Sequence, residues 1–333
     1  HRQIVDVHVT GSDRTHDLIV WGPPGPDRTR RLAENDPLLK KNITSELGCV
    51  TPVVIVPGDY GAGELRFLAE NIANQVTNNG SFNCNAAKVV VLAEGWAQRE
   101  TFWQHLREIL ATVRPRQAYY PGAQERYAAL TRGKEQVTRL GQGDDKALSW
   151  TLIRGLDPRQ SDEPLFSTEP FCSILSEVVL PEREPAAFLQ AATGFCNNKL
   201  WGTLSAGIYL HPKTEAASEV KTALDMAVAE LRYGLIGINH WPGVGYGAMS
   251  APWGGHPSAT LANIQSGLGF VHNTFMLEGI EKGVLRGPLT MFPKPPWWST
   301  HKNSNKVAER LARFECEPSW LKIPGIALLA MTG

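Results

Sequence analysis

The spacing of apolar and polar positions along the chain predicts a succession of strands and helices. Alternation in QIVDVHVTGS (3–12) predicts a strand that stops at a Thr-Gly-Ser turn. WGPPGPDRTR (21–30), crowded with Pro and Gly, predicts a surface loop. The β-branched run Val53–Val56, held between Pro52 and Pro57, predicts a short buried strand. Apolar residues at 65, 67–68, 72–73 and 76 repeat with helical period and stop at the turn residues NNGS (78–81). KVVVLA (88–93) predicts another buried strand, followed by a helix over 97–112, and residues 120–165 read as polar and irregular. Strands are expected at 173–180 and 203–210 around a helix near 184–193. An amphipathic helix over 218–234, closed by Gly234, then leads to a short strand at 235–239. From 242 to 300 Gly, Pro and Trp dominate, which predicts more loop than regular structure. Alternating strands and helices indicate an α/β fold.

Bulk numbers narrow the class. At 333 residues, 42% hydrophobic and 20% charged, the chain can bury a sizeable core and has length for about two domains. Lys+Arg and Asp+Glu balance at 33 each, so no global field favours nucleic acid or a membrane surface. No uninterrupted apolar segment reaches the roughly 18 residues that a membrane span requires. Five scattered cysteines (49, 84, 172, 196 and 316) argue against a disulfide framework and for a reducing, cytoplasmic setting. The sequons Asn42-Ile43-Thr44 and Asn79-Gly80-Ser81 read as chance in that setting. The start at His1, inside a strand pattern and without Met, reads as a fragment that begins within a domain.

Few residues offer chemistry. Cys84, in SFNCNAAKVV, stands at a turn between two asparagines instead of inside an apolar run. The ordinary reading of a single Cys is a small buried hydrophobe. The functional reading is a nucleophile, with turn N–H groups to hold an oxyanion and a polar pocket to ionise the thiol. Glu46, in TSELGCVTP, reads either as a solvated turn residue or as a general base for water. Glu169-Pro170-Phe171 reads either as an ordered turn or as a carboxylate for a ribose diol beside a ring that packs on a flat group. GDYGAGELRF (58–67) lacks both the GxGxxG spacing and a P-loop Lys, so it reads as a helix entry. No HxxxH, HExxH, Cys-x-x-Cys or GxSxG is present, which leaves a metal site without support. A hydrolase pairing Cys84 with a His stays open.

Taken in order, these pieces resemble the aldehyde dehydrogenase superfamily. The order is Thr10-Gly11-Ser12, Glu46-Leu47-Gly48, Cys84 with its Ala pair, Glu169-Pro170-Phe171, Ile238-Asn239 and Pro252-Trp253-Gly254-Gly255. The match runs from about residue 3 to about 285 and corresponds to the second half of the family's chain. The resemblance implies a three-layer α/β catalytic domain with a partial Rossmann-like cofactor domain. It divides the chain into a cofactor-domain remnant (1–46), a catalytic domain (47–245) and a return to the cofactor side with a tail (246–333). It implies Cys84 as nucleophile and Glu46 as base, with NAD or NADP contacted by Gly11, Ser12, Leu47, Glu169 and Phe171. The substrate implied is a small-molecule aldehyde, met by Asn83, Trp241, Tyr246 and Trp253, in a homo-oligomer when full-length. Retention of Glu46 implies hydrolysis of the thioester over transfer to coenzyme A.

Departures from the family pattern accompany the match. Cys49 replaces the second Gly of Glu-Leu-Gly-Gly, and Phe82-Asn83 stands where Gly-Gln is usual. Cys172-Ser173 replaces Gly-Pro after Phe171, Trp253 replaces a Phe, and KPPWWSTHK (294–302) has no counterpart. These changes, with the missing upstream half, motivate a second expectation: an inactive member of the fold used for assembly or binding.

Overall fold

The computed structural model describes every residue except Arg2 and Asp145. Among the described residues, ten strands fall into two sheets. β1 (Asp6–Gly11) and β2 (Asn42–Leu47) form a parallel pair. The larger sheet contains β3 (Pro52–Ile55), β4 (Val89–Ala93), β5 (Gln136–Leu140), β6 (Trp150–Leu156) and β7 (Ile174–Leu180). It is completed by β8 (Ser205–Tyr209), β9 (Leu235–Ile238) and β10 (Gly283–Arg286). Its order is β10-β9-β8-β3-β4-β7-β6-β5, and every pairing is parallel except β5 with β6.

That order dictates the layers. From β3 the chain steps through β4 to β7 in one direction, then crosses back to β8 and β9 on the other side of β3. Right-handed crossovers in opposite directions put their helices on opposite faces. Helices Ala62–Thr77 and Arg99–Thr112 pack together in the first set, and helices Pro185–Lys199 and Ser218–Glu230 in the second. β3, β4, β8 and β9, covered from both sides, are buried at every residue. The apolar runs of β3, β4 and β9 are the sequence form of that double burial.

Several sequence expectations change. The 21–30 stretch is a loop only to Gly25: helix Pro26–Glu34 starts on a proline at its first position, where the missing N–H costs nothing. Residues 120–165 hold helix Ala123–Thr131 and strands β5 and β6; β5 has few apolar residues, and Arg154 and Gly155 interrupt the apolar run of β6. The helix expected to end at Gly234 stops at Glu230. Gly234 serves a different purpose, because a Cβ there would lie 1.9 Å from the Gly254 carbonyl oxygen. The helix near 184–193 continues to Lys199. Within 246–333, β10 extends the large sheet, and two helices, Ser304–Cys316 and Ile323–Met331, follow the Pro/Trp stretch. Among the described residues no helix is long and apolar enough to cross a membrane.

Candidate active site

The two sheets meet end to end, and the residues singled out by sequence lie at that junction. Parallel register sets Thr10 beside Glu46 and Gly11 beside Leu47 at the carboxyl ends of β1 and β2. The chain then turns through Gly48–Thr51 into the amino end of β3. Cys84 lies in the turn that leads into β4, and Glu169-Pro170-Phe171 precedes β7, at the same end of the sheet. A third segment closes the junction from outside. The Leu47 and Ser45 N–H groups donate to the Ser266 and Leu268 carbonyls, and the Ser266 hydroxyl donates to the Gly48 carbonyl at 2.7 Å.

Cys84 occupies a tight turn in which the Ala86 N–H donates to the Asn83 carbonyl. Its Sγ donates to Glu46 Oε1 at 3.7 Å, and the indole Nε1–H of Trp253 donates to the same oxygen at 2.6 Å. The other carboxylate oxygen of Glu46 has no hydrogen-bond partner among the described residues. Trp253 is completely buried, and its backbone exchanges two hydrogen bonds with Val271, so the indole has little freedom. Burial holds the Cys84 thiol well above its ordinary range, and the charges of Glu46 and Glu169 push it further. The Cys84 backbone N–H has no acceptor among the described residues.

Glu169 folds back over the Glu-Leu-Gly turn. A Cβ on Gly48 would lie 1.8 Å from Glu169 Oε2, so only glycine lets the carboxylate approach. Its Oε1 is buried and unpartnered. Burial raises the carboxyl to about 7, opposed by the Lys88 ammonium, the Cys49 backbone N–H and the Arg126 guanidinium. Phe171, at φ 41°, packs edge-on against Tyr120 and Phe82. Arg126 donates to the Pro170 and Phe171 carbonyls and helps hold that conformation.

Other expected contacts are placed differently. Asn83 spends its side chain inside the turn, donating to Asn78 and accepting from Asn79, so it offers no free amide to an oxyanion. Neighbouring Asn85 carries the unpartnered buried oxygen instead. Trp253 is sealed and lines no open funnel. Trp241 donates its indole N–H to the Asn85 carbonyl, and Tyr246, 43% exposed, stands edge-on to Trp253. Ser12 caps helix Asp13–Trp21 by accepting from the Thr15 N–H, and Gly11 is exposed beside it. Asn239 uses its whole amide on the Leu210 backbone.

Sequence reasoning missed Lys88. Fully buried, it donates to the Ser81 carbonyl and hydroxyl at 3.0 Å and to the Cys172 carbonyl at 3.4 Å, and burial lowers its affinity for the proton. A lysine opening an unbroken apolar strand was the available signal. Cavities of about 320 Å³ and about 690 Å³ lie elsewhere, and neither is lined by Cys84 or Glu46. Among the described residues no cluster of His, Cys, Asp and Glu could hold a metal.

No family model and no curated protein matches the sequence. Solved structures do match. An indole-3-acetaldehyde dehydrogenase in complex with NAD+ is 17% identical with a TM-score of 0.59, covering 82% of this chain and 50% of its own. Aldehyde dehydrogenase KauB from Pseudomonas aeruginosa is 16% identical with a TM-score of 0.59, over 82% and 50%. The gamma-glutamyl-gamma-aminobutyraldehyde dehydrogenase from Burkholderia cenocepacia J2315 is 20% identical with a TM-score of 0.61, over 84% and 51%. The chain therefore has the aldehyde dehydrogenase fold and spans about half the length of these enzymes.

Proposed function

We propose that the chain carries the catalytic centre of an NAD(P)-dependent aldehyde dehydrogenase. The observation that carries this reading is the Cys84–Glu46 contact, formed across the junction of the two sheets with Trp253 fixing the carboxylate. Cys84 attacks the aldehyde carbon as its thiolate, the thiol proton passing to solvent. The free Cys84 backbone N–H holds the alkoxide. A nicotinamide, when bound, supplies the hydride acceptor that converts the thiohemiacetal to a thioester.

The residues present fit such a cofactor. The unpartnered Glu169 oxygen is a ready acceptor for a ribose hydroxyl, and the bare Gly48 backbone beneath it leaves room for close approach. Gly11, Ser12 and Leu47 border the same end of the small sheet, and Phe171 stands beside Glu169. In the last step Glu46 takes a proton from water and passes it to the departing Cys84 sulfur. The resulting hydroxide attacks the thioester and releases the acid and the Cys84 thiol. Tyr246 and Trp241 supply apolar surface for the aldehyde. A cytoplasmic homo-oligomer belongs to the same reading. Cys84→Ala in the full-length protein is expected to abolish aldehyde-dependent NAD(P)H formation, and survival of that activity would sink the assignment.

One observation favours a second reading, an inactive binding protein on the same fold. Two carboxylates and burial all oppose ionisation of Cys84. Failure of the full-length protein to bind NAD(P)H in a fluorescence titration would favour it.

A further inference from the structure

Trp253 holds a position that neither its burial nor its aromatic bulk explains. Its ring is completely enclosed, which removes it from any substrate surface. Yet its single polar atom, the indole N–H, is spent on Glu46 Oε1 at 2.6 Å. The surrounding backbone is built to hold it there. Trp253 N–H and C=O both pair with Val271, and Tyr246 braces the ring edge-on at 5.6 Å. Gly254 and Gly255 follow, and a Cβ at either would meet the 267–269 backbone within 3 Å. The adjoining backbone bonds to β2 on either side of Glu46, Leu268 accepting from the Ser45 N–H and Ser266 from the Leu47 N–H. Carboxylate and indole therefore belong to one frame.

We propose that Trp253 is the positioning residue of the deacylation step. It pins Oε1 and leaves the second Glu46 oxygen, which has no partner among the described residues, as the one that takes the proton of water. The inference rests on the proposed roles of Cys84 and Glu46, and it divides those roles: acylation needs the thiol, whereas turnover needs the oriented carboxylate. A hydrogen bond to a charged acceptor is worth enough that its loss slows the dependent step roughly tenfold to a hundredfold.

The test uses an aryl acetate without nucleotide, so that one assay separates the burst of aryl alcohol from the steady state. Wild type should show a burst of one equivalent followed by turnover. Trp253→Phe keeps an aromatic ring but loses the N–H. It should keep the burst and lose roughly tenfold to a hundredfold in steady-state rate, as Glu46→Gln should. Trp253→His places a ring nitrogen at the same bond distance from Cβ as the indole nitrogen, so it should turn over faster than Trp253→Phe despite being smaller and more polar. Added hydroxylamine, which attacks a thioester without a base, should restore turnover in Trp253→Phe to the wild-type level. A purely packing role would rank Phe above His and slow burst and turnover together, and that result would overturn the proposal. Trp253→Phe turning over like wild type would also overturn it. A Phe variant that does not fold beside a folded, slow His variant would also count against it, because packing would then decide. Absence of any burst from wild type would refute the Cys84 assignment itself, a separate failure.

Discussion

At the scale of single residues, the site is a competition for charge in a small enclosed space. Cys84 is partly exposed, but two carboxylates face it, and its thiol is held well above the ordinary range. The thiolate is the reactive form, so alkylation by iodoacetamide should be slow near neutrality and climb with pH through that raised value. Glu46→Gln removes one opposing charge and should bring the climb to lower pH. At pH 8 the variant should react roughly threefold to tenfold faster than wild type, since easing ionisation by about 1.4 kcal/mol raises the small thiolate fraction about tenfold. An unchanged profile would mean that burial alone sets the thiol and that Glu46 lies farther away in solution. Cys84 was legible as a candidate because it sits at a turn beside an apolar run, and Glu46 because it closes a strand just before a glycine turn. The Trp253 indole contact was not, since no local pattern tells a ring in a Gly-rich loop which way its one N–H points.

At the scale of elements, legibility followed burial. β3, β4 and β9 were read correctly because strands covered on both faces are near-continuous apolar, often β-branched runs, and β8 because Leu204 and Ile208–Leu210 flank its small residues. β5 was lost in a polar stretch because it is an edge strand with no fully buried residue, and β6, though largely buried, is a short run broken by Arg154 and Gly155. β7 shows what a local pattern cannot reveal. Its Glu177, inside ILSEVVL, looks like an interruption, yet it is fully buried and accepts from Arg99, Arg154 and the Trp103 indole. It ties helix Arg99–Thr112 and β6 to the middle of the sheet. Glu177→Gln would leave two guanidinium groups without their shared charge. It should cost about 3 kcal/mol, the low end for breaking a buried pair because both arginines reach solvent. Urea denaturation would check this, and a change under about 1 kcal/mol would show that the arginines find other partners.

At the scale of the whole molecule, chemistry is assembled by topology and not by any one motif. The carboxyl ends of β1 and β2 are butted against the amino ends of β3, β4 and β7, and the 264–271 segment stitches them from outside. A two-stranded sheet alone is marginal, so this stitching makes the junction a fixed site. Five cysteines are free, and only Cys84 stands at that junction with part of its surface open; Cys49, Cys172 and Cys196 are buried and Cys316 is exposed at the end of helix Ser304–Cys316. The most direct measurement is therefore peptide mass mapping of the protein quenched within the burst of an aryl acetate. The acetyl group should be found on the Cys84 peptide at close to one equivalent, and it should persist longer in Glu46→Gln. Acetyl on Cys316 alone, or no adduct at Cys84 while turnover continues, would contradict the assignment of Cys84 as the nucleophile.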